Sequence, residues 1–181
     1  MSSDMWIFAY GSLMWNPGFP HIESEPAYLR GWHRAFCVQS VRYRGTPDKP
    51  GLVLGLDRGG SCHGVAFHVA HDDMAAVLET VDARELITGV YQRRQVTIQI
   101  GEPTHGRMAT AWAYITDRSH AQYVGKLELA DKARMIEAAC GNSGTNRDYL
   151  ENTLCHLTEL GIRDPYLQKL KAEIDAACPR G

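Results

Sequence analysis

Residues 51 to 70 read GLVLGLDRGGSCHGVAFHVA, two apolar segments separated by Asp57-Arg-Gly-Gly-Ser61. Each segment is too short for a helix and is bounded by turn residues, the pattern of a buried strand. Paired glycines in a short polar interval suit a hairpin loop. The spacing therefore predicts antiparallel pairing of 51–57 with 63–70. Working outward, segments of the same kind fall at 6–10, about 34–41, 93–101 and 108–116, which makes about six strands in the first two-thirds of the chain. One helix interrupts them at about 72–82, opened by Asp72 and Asp73, whose carboxylates suit capping and the helix dipole.

After Asp117 the apolar period changes. Ala130, Ala133, Ile136, Ala139 and Cys140 recur at helical spacing, with Gly141 as a stop. Thr145-Asn-Arg-Asp148 has the form of a capping box with Asp in the Glu position, and opens a helix carrying Tyr149, Leu150, Leu154, Leu157 and Leu160. Asp164-Pro165 is a cap followed by proline, ahead of Leu167, Leu170 and Ile174 on one face. Strands curled on themselves with helices packed outside give an α+β fold, because a half-polar sheet must bury its other face.

At 181 residues, 44% hydrophobic and 22% charged, the chain has the size of one well-buried domain spanning 1–181. A net charge of -2 without a Lys/Arg block predicts no nucleic-acid partner, and the absence of a long apolar run predicts no membrane span. A small molecule is the expected partner and the cytoplasm the expected location. Five cysteines (Cys37, Cys62, Cys140, Cys155, Cys178) form neither C-x-x-C nor a metal-ligand spacing, and read as reduced thiols. His68 and His71 lack a companion Glu and a third ligand nearby, so no metal site is expected.

Four segments offer chemistry. Tyr10-Gly11-Ser12-Leu13 puts a glycine at a strand end, where successive amides form an anion nest, although a plain turn capped by Ser12 satisfies the same spacing. Three large apolar residues, Leu13, Met14 and Trp15, follow in that loop, more than a strand end requires. In Asp82-Ala-Arg-Glu-Leu-Ile-Thr-Gly-Val-Tyr91, Glu85 beside Arg84 fits a solvated ion pair or a general base. Burial would raise its pKa and Arg84 would lower it, and where the guanidinium points decides between them. Ser40 and Arg42 lie in a polar, basic connection that suits either a flexible hairpin loop or a polar substrate. Tyr149 sits on an apolar stripe and reads as core or as pocket wall. Cys62 and His63 are adjacent on a strand, so their side chains face opposite ways and form no nucleophile–base pair.

The stretches YGSLMWNPGF, GWHRAFCVQSVRYRGTPDKPGLVLGLDRGGSCHGVAFHV, ARELITGVY, AWAYI and GNSGTNRDYLENTLCHLTELGIRDPYLQKL run nearly end to end in the order found in the ChaC-type γ-glutamylcyclotransferases, and the chain resembles their bacterial form. The resemblance implies a small mixed barrel with flanking helices and an active site over the Tyr-Gly-Ser-Leu loop. It implies cofactor-free release of 5-oxoproline from glutathione, leaving cysteinylglycine, with Glu85 as the catalytic carboxylate. It implies that Tyr10, Gly11, Ser12, Leu13, Ser40, Arg42, Tyr91 and Tyr149 bind or border the substrate. The Glu85-to-Tyr91 spacing is that of bacterial-type members and longer than in eukaryotic ones. A cyclotransferase for other γ-glutamyl amino acids or amines, and a binding module retaining the pocket, are the alternatives.

Overall fold

In the computed structural model, which describes residues 5–177, five strands form a closed barrel. Cys178 and residues 1–4 lie outside the described residues. The strands are β1 (Met5–Ala9), β2 (Glu23–Ser40), β3 (Gly51–Val69), β4 (Tyr91–Ile100) and β5 (Arg107–Thr116), hydrogen-bonded in the order β1-β3-β2-β4-β5. β1 pairs antiparallel with β3, Ile7 opposite Phe67, and parallel with β5, Trp6 opposite Ala111, so the barrel is mixed. Closure leaves the barrel no open edge, and Ile7, Phe8, Phe67, Ile98 and Ala113 are all buried, with the adjacent Ile7 and Phe8 on opposite faces of β1.

The hairpin predicted at Asp57–Ser61 does not form. β3 runs through it as one strand of 19 residues, and the barrel accordingly has five strands, not six. Gly59 and Gly60 take φ of 99° and 65°, a backbone that side-chain-bearing residues rarely adopt, and the Gly59 carbonyl lies 3.0 Å from His33 Nδ1 on β2. Glycines that permit a reversal also permit a bulge that bends a long strand. β2, which begins well before the predicted residue 34, supplies the partner that keeps the chain extended.

The described chain groups into two compact units. The first comprises the residues up to Arg34 together with Gly55–His120. It holds helix α1 (Met74–Glu85), which buries Met74, Val77 and Val81. Asp73 occupies the N-cap of α1 but makes no side-chain cap bond, so of the two roles predicted for the acidic pair only the dipole interaction remains.

The second unit comprises Ala35–Leu54 and the residues from Ala121 onward. It contains α2 (Leu129–Ala138), a two-residue ladder of β6 (Cys140–Gly141) with β7 (Gly144–Thr145), α3 (Asn146–Glu159) and α4 (Pro165–Ala177). The helix predicted to stop at Gly141 ends earlier because Cys140 and Gly141 pair with Thr145 and Gly144. Thr145 Oγ1 accepts from the Asp148 amide at 3.1 Å and Asp164 Oδ1 from the Leu167 amide at 3.0 Å, so both predicted N-caps are made. On α3 the buried stripe is Asn146, Leu150, Thr153 and Leu157, while Leu160 is 42% exposed.

Arg147, buried, fastens the three helices: it donates to Glu137 on α2 at 3.0 Å, to Glu151 on α3 at 3.0 Å and to Asp175 on α4. Truncation takes this partner from all three carboxylates and leaves Lys171, 2.6 Å from Asp175 and 3.7 Å from Glu151, as the remaining cation beside two of them. Because the three carboxylates stay 30–42% exposed, Arg147→Met is expected to cost about 2–3 kcal/mol, below the ~3–5 of fully buried pairs. A urea melt that leaves the midpoint unchanged would contradict this assignment.

Candidate functional site

β1 delivers the chain into Tyr10-Gly11 and then a single 3-10 turn at Ser12–Met14. The turn is closed by the Met14 amide donating to Gly11 O at 2.9 Å and the Asn16 amide donating to Ser12 O at 2.8 Å. Leu13 and Met14 are buried and Trp15 half-buried, which accounts for the apolar residues after the strand: they seat the loop. Tyr10 is buried too, and its hydroxyl donates to Tyr114 O on β5 at 2.9 Å.

Behind this loop lies Arg34 on β2, 2% exposed. Its Nε donates to Tyr10 O at 2.5 Å and an Nη to His63 O at 2.7 Å. In a trans peptide the carbonyl and the following N–H point in opposite directions. Drawing Tyr10 O toward Arg34 therefore turns the Gly11 N–H the other way, as an amide offered to an anion must be.

Glu85 is the last residue of α1; the helix runs on beyond residue 82, where the sequence pattern broke off. Asp82, one turn earlier, fixes that end of the helix to the barrel. It accepts from the Tyr114 hydroxyl at 2.7 Å and from Arg93 Nη1 at 2.5 Å, and Arg93 in turn lies over the Trp112 ring. Burial, then the bond and charge of Asp82, push the Tyr114 hydroxyl pKa up, so it stays a donor.

The Glu85 side chain is 21% exposed. Desolvation raises its pKa above the usual carboxylate range, and Arg84, with Nε 3.3 Å from Oε1, pulls it partly back. The last helical turn, where the dipole disfavours negative charge, acts in the same direction as burial. The Arg84 guanidinium also reaches the loop: Nη2 donates to Ser12 Oγ at 2.6 Å and Nη1 to Asn16 O at 2.8 Å. Tyr91, half-buried, opens β4 opposite Thr116. The first unit thus brings together Tyr10, Gly11, Ser12, Leu13 and, through Arg84, Glu85.

In the second unit, Ser40 is buried and its Oγ accepts from the Arg44 amide at 3.0 Å, leaving the hydroxyl proton to offer. Arg42 is exposed, with its guanidinium over the Tyr43 ring. Tyr149, half-buried on α3, meets the Phe36 ring edge-on and lies under the Arg44 guanidinium, which also donates to Ser143 O at 2.6 Å. His68, considered as a metal ligand, is stacked on Trp6 and lies 3.3 Å from Glu23.

A model of the ChaC-like protein family matches residues 5–177. The chain belongs to the ChaC-like family. This ChaC-like chain is 37% identical over 170 residues to the glutathione-specific γ-glutamylcyclotransferase of Escherichia coli K12, covering 94% of this chain and 72% of that protein. It is 34% identical to γ-glutamylcyclotransferase 2-3 of Arabidopsis thaliana, covering 94% and 88%. A crystal structure of a yeast γ-glutamylcyclotransferase specific to glutathione superposes with a TM-score of 0.85 over 97% of each chain at 22% identity, and so shares the fold.

Three groups were missed in the sequence: Arg34 and the pair Asp82 with Arg93 in the first unit, and, in the second unit taken by itself, Asn146, which is fully buried. Arg34 did carry a signal, a charged residue immediately before the apolar run Ala35-Phe36-Cys37-Val38. Asp82 carried none, since its partners lie on β4 and β5.

Proposed function

We propose that this protein is a glutathione-specific γ-glutamylcyclotransferase, a lyase that converts glutathione to 5-oxoproline and cysteinylglycine. The observation that supports it most is the Glu85 carboxylate, largely withdrawn from water and tied through Arg84 to the loop of Ser12. A carboxylate with a raised pKa is a stronger base, as the reaction requires.

In a γ-glutamyl group the α-amine can fold onto the side-chain carbonyl, so the substrate supplies its own nucleophile and the reaction needs no cofactor. Bending that chain is an orientation task, for which intramolecular geometry is worth up to roughly 7–11 kcal/mol. In this reading the amides of Gly11, Ser12 and Leu13 hold the α-carboxylate, and Tyr10 and Leu13 wall the bent chain. Glu85 takes a proton from the ammonium. The amine nitrogen then forms a bond to the γ-carbonyl carbon, Glu85 returns that proton to the cysteinyl nitrogen as its C–N bond breaks, and the ring nitrogen gives up its second proton to the freed carboxylate or the departing amine, leaving the neutral lactam. The resemblance adds Tyr91, Ser40, Arg42 and Tyr149 as substrate residues, with Arg42 suited by its charge to a carboxylate. A glutathione-consuming enzyme fits the reducing cytoplasm.

Incubation of purified protein with glutathione and, separately, with γ-glutamyl-alanine tests this. Glutathione is expected to give 5-oxoproline and cysteinylglycine in equal amounts. Release from γ-glutamyl-alanine at an equal or higher rate would transfer the assignment to a broader γ-glutamyl specificity, and no 5-oxoproline from either would end it.

A further inference from the structure

The structure assigns to Arg84 a task of its own, resting on the reading just given: it is the positioning residue that holds the substrate loop and the carboxylate of Glu85 in one rigid frame. An exposed Arg–Glu pair between chain neighbours would ordinarily contribute little. Here, however, the guanidinium does not face Glu85 alone. Two of its nitrogens reach across to the loop, to a side-chain oxygen of Ser12 and a main-chain oxygen of Asn16, at 2.6 and 2.8 Å, while the third stays 3.3 Å from Glu85.

Those acceptors lie on two elements that share no main-chain ladder. β1 leads into the loop and α1 ends at Glu85, and the side chains that seat each of them, Leu13 and Met14 on the loop and Val81 on the helix, are apolar and buried. Apolar contacts slide more easily than a planar fork with three filled positions. Lysine cannot copy the fork, since one ammonium on a flexible stem replaces a flat array of donors. The charged groups around Glu85 divide cleanly. Arg84 acts on it directly, while Asp82, one turn back, is held by Arg93 and the Tyr114 hydroxyl.

Two consequences separate this task from general support of the fold. The frame sets geometry, and a misplacement of about 1 Å costs roughly 10²-fold in rate. The same guanidinium also opposes the burial-driven rise of the Glu85 pKa. Arg84→Met is therefore expected to lower kcat/KM about 10²-fold and to move the acid limb of its pH profile to higher pH. Arg84→Lys, which keeps the charge but not the fork, is expected to leave the acid limb near its wild-type position while kcat/KM still falls, on the order of tenfold.

The experiment measures kcat and KM for glutathione across pH for wild type, Arg84→Met, Arg84→Lys and Glu85→Gln, with circular dichroism melts on each. If Arg84→Met is folded and keeps both the wild-type acid limb and kcat/KM within about twofold while Glu85→Gln is inactive, the positioning task is overturned and the cyclotransferase reading stands. If Glu85→Gln is as active as wild type, the reading beneath both is wrong. Should Arg84→Met not fold, Arg84→Lys decides: undiminished kcat/KM overturns the proposal, and a fall with an unmoved acid limb supports it.

Discussion

Glu85→Gln is expected to reduce turnover of glutathione by roughly 10²–10⁴-fold, the range associated with loss of a positioned general acid–base. Glutamine keeps the size and shape of the side chain and can still accept from Arg84, so the loop and helix should stay in place. What it cannot do is take a proton from the substrate ammonium. KM should therefore change much less than kcat. A pure binding module would bind glutathione equally well before and after the change, and comparable turnover in the variant would exclude Glu85 as the base.

The same substitution should raise stability at neutral pH. Burial lifts the folded-state pKa of Glu85 above its unfolded value, with Arg84 opposing. The contribution of such a group is fully present below the unfolded pKa and is lost as pH rises through the folded one. At pH 7–8 the wild type carries a charge that the fold disfavours, and glutamine removes it. Melts should show the variant at or above wild type at pH 7–8, with the difference shrinking toward pH 4. Lost activity combined with retained or improved stability is the mark of a residue kept for chemistry.

How far the sequence reached depends on how local each signal was. The loop at Tyr10–Leu13, the caps at Thr145 and Asp164 and the apolar face of α4 rest on residues within a few positions of one another, and all were legible. The course of β3 was not. Asp57-Arg-Gly-Gly-Ser61 suits a reversal and a bulge equally, and the choice belongs to β2, whose early half, from Glu23, is polar and interrupted by Pro26 and Gly31. The end of α2 was misplaced for a similar reason: Cys140 continues the helical period, but pairs with Thr145 instead. At the site, Glu85 could be singled out, yet the direction of the Arg84 guanidinium depends on Ser12 and Asn16 far away along the chain. Arg34 and Asp82 act through main-chain and side-chain partners that only the closed barrel supplies.

Asn146→Ala is expected to destabilise the second unit as strongly as truncation of a large core side chain. Its carboxamide is fully buried and meets both polar groups of one strand residue, accepting from the Leu52 amide at 2.6 Å and donating to Leu52 O at 2.7 Å. Leu52 is itself fully buried at the start of β3, so truncation leaves an N–H and a C=O without these bonds. At about 1–3 kcal/mol for each unsatisfied group, the two together should cost roughly 2–6 kcal/mol. A thermal midpoint lowered by roughly 10 °C would correspond. Asn146→Asp tests the pattern itself. Ionised, Asp can accept from Leu52 N–H but sets its other oxygen against Leu52 O; protonated, it donates there as the amide does. Its folded-state pKa must therefore rise, so the variant should approach wild-type stability near pH 4 and lose it as pH climbs through that raised pKa. A variant equally stable at pH 4 and pH 8, relative to wild type at each, would show that Asn146 fills space there and bridges nothing. The bridge also ties two segments of the second unit together, because Asn146 opens α3 one turn before Tyr149, and Gly51, beside Leu52, closes the connection that carries Arg42.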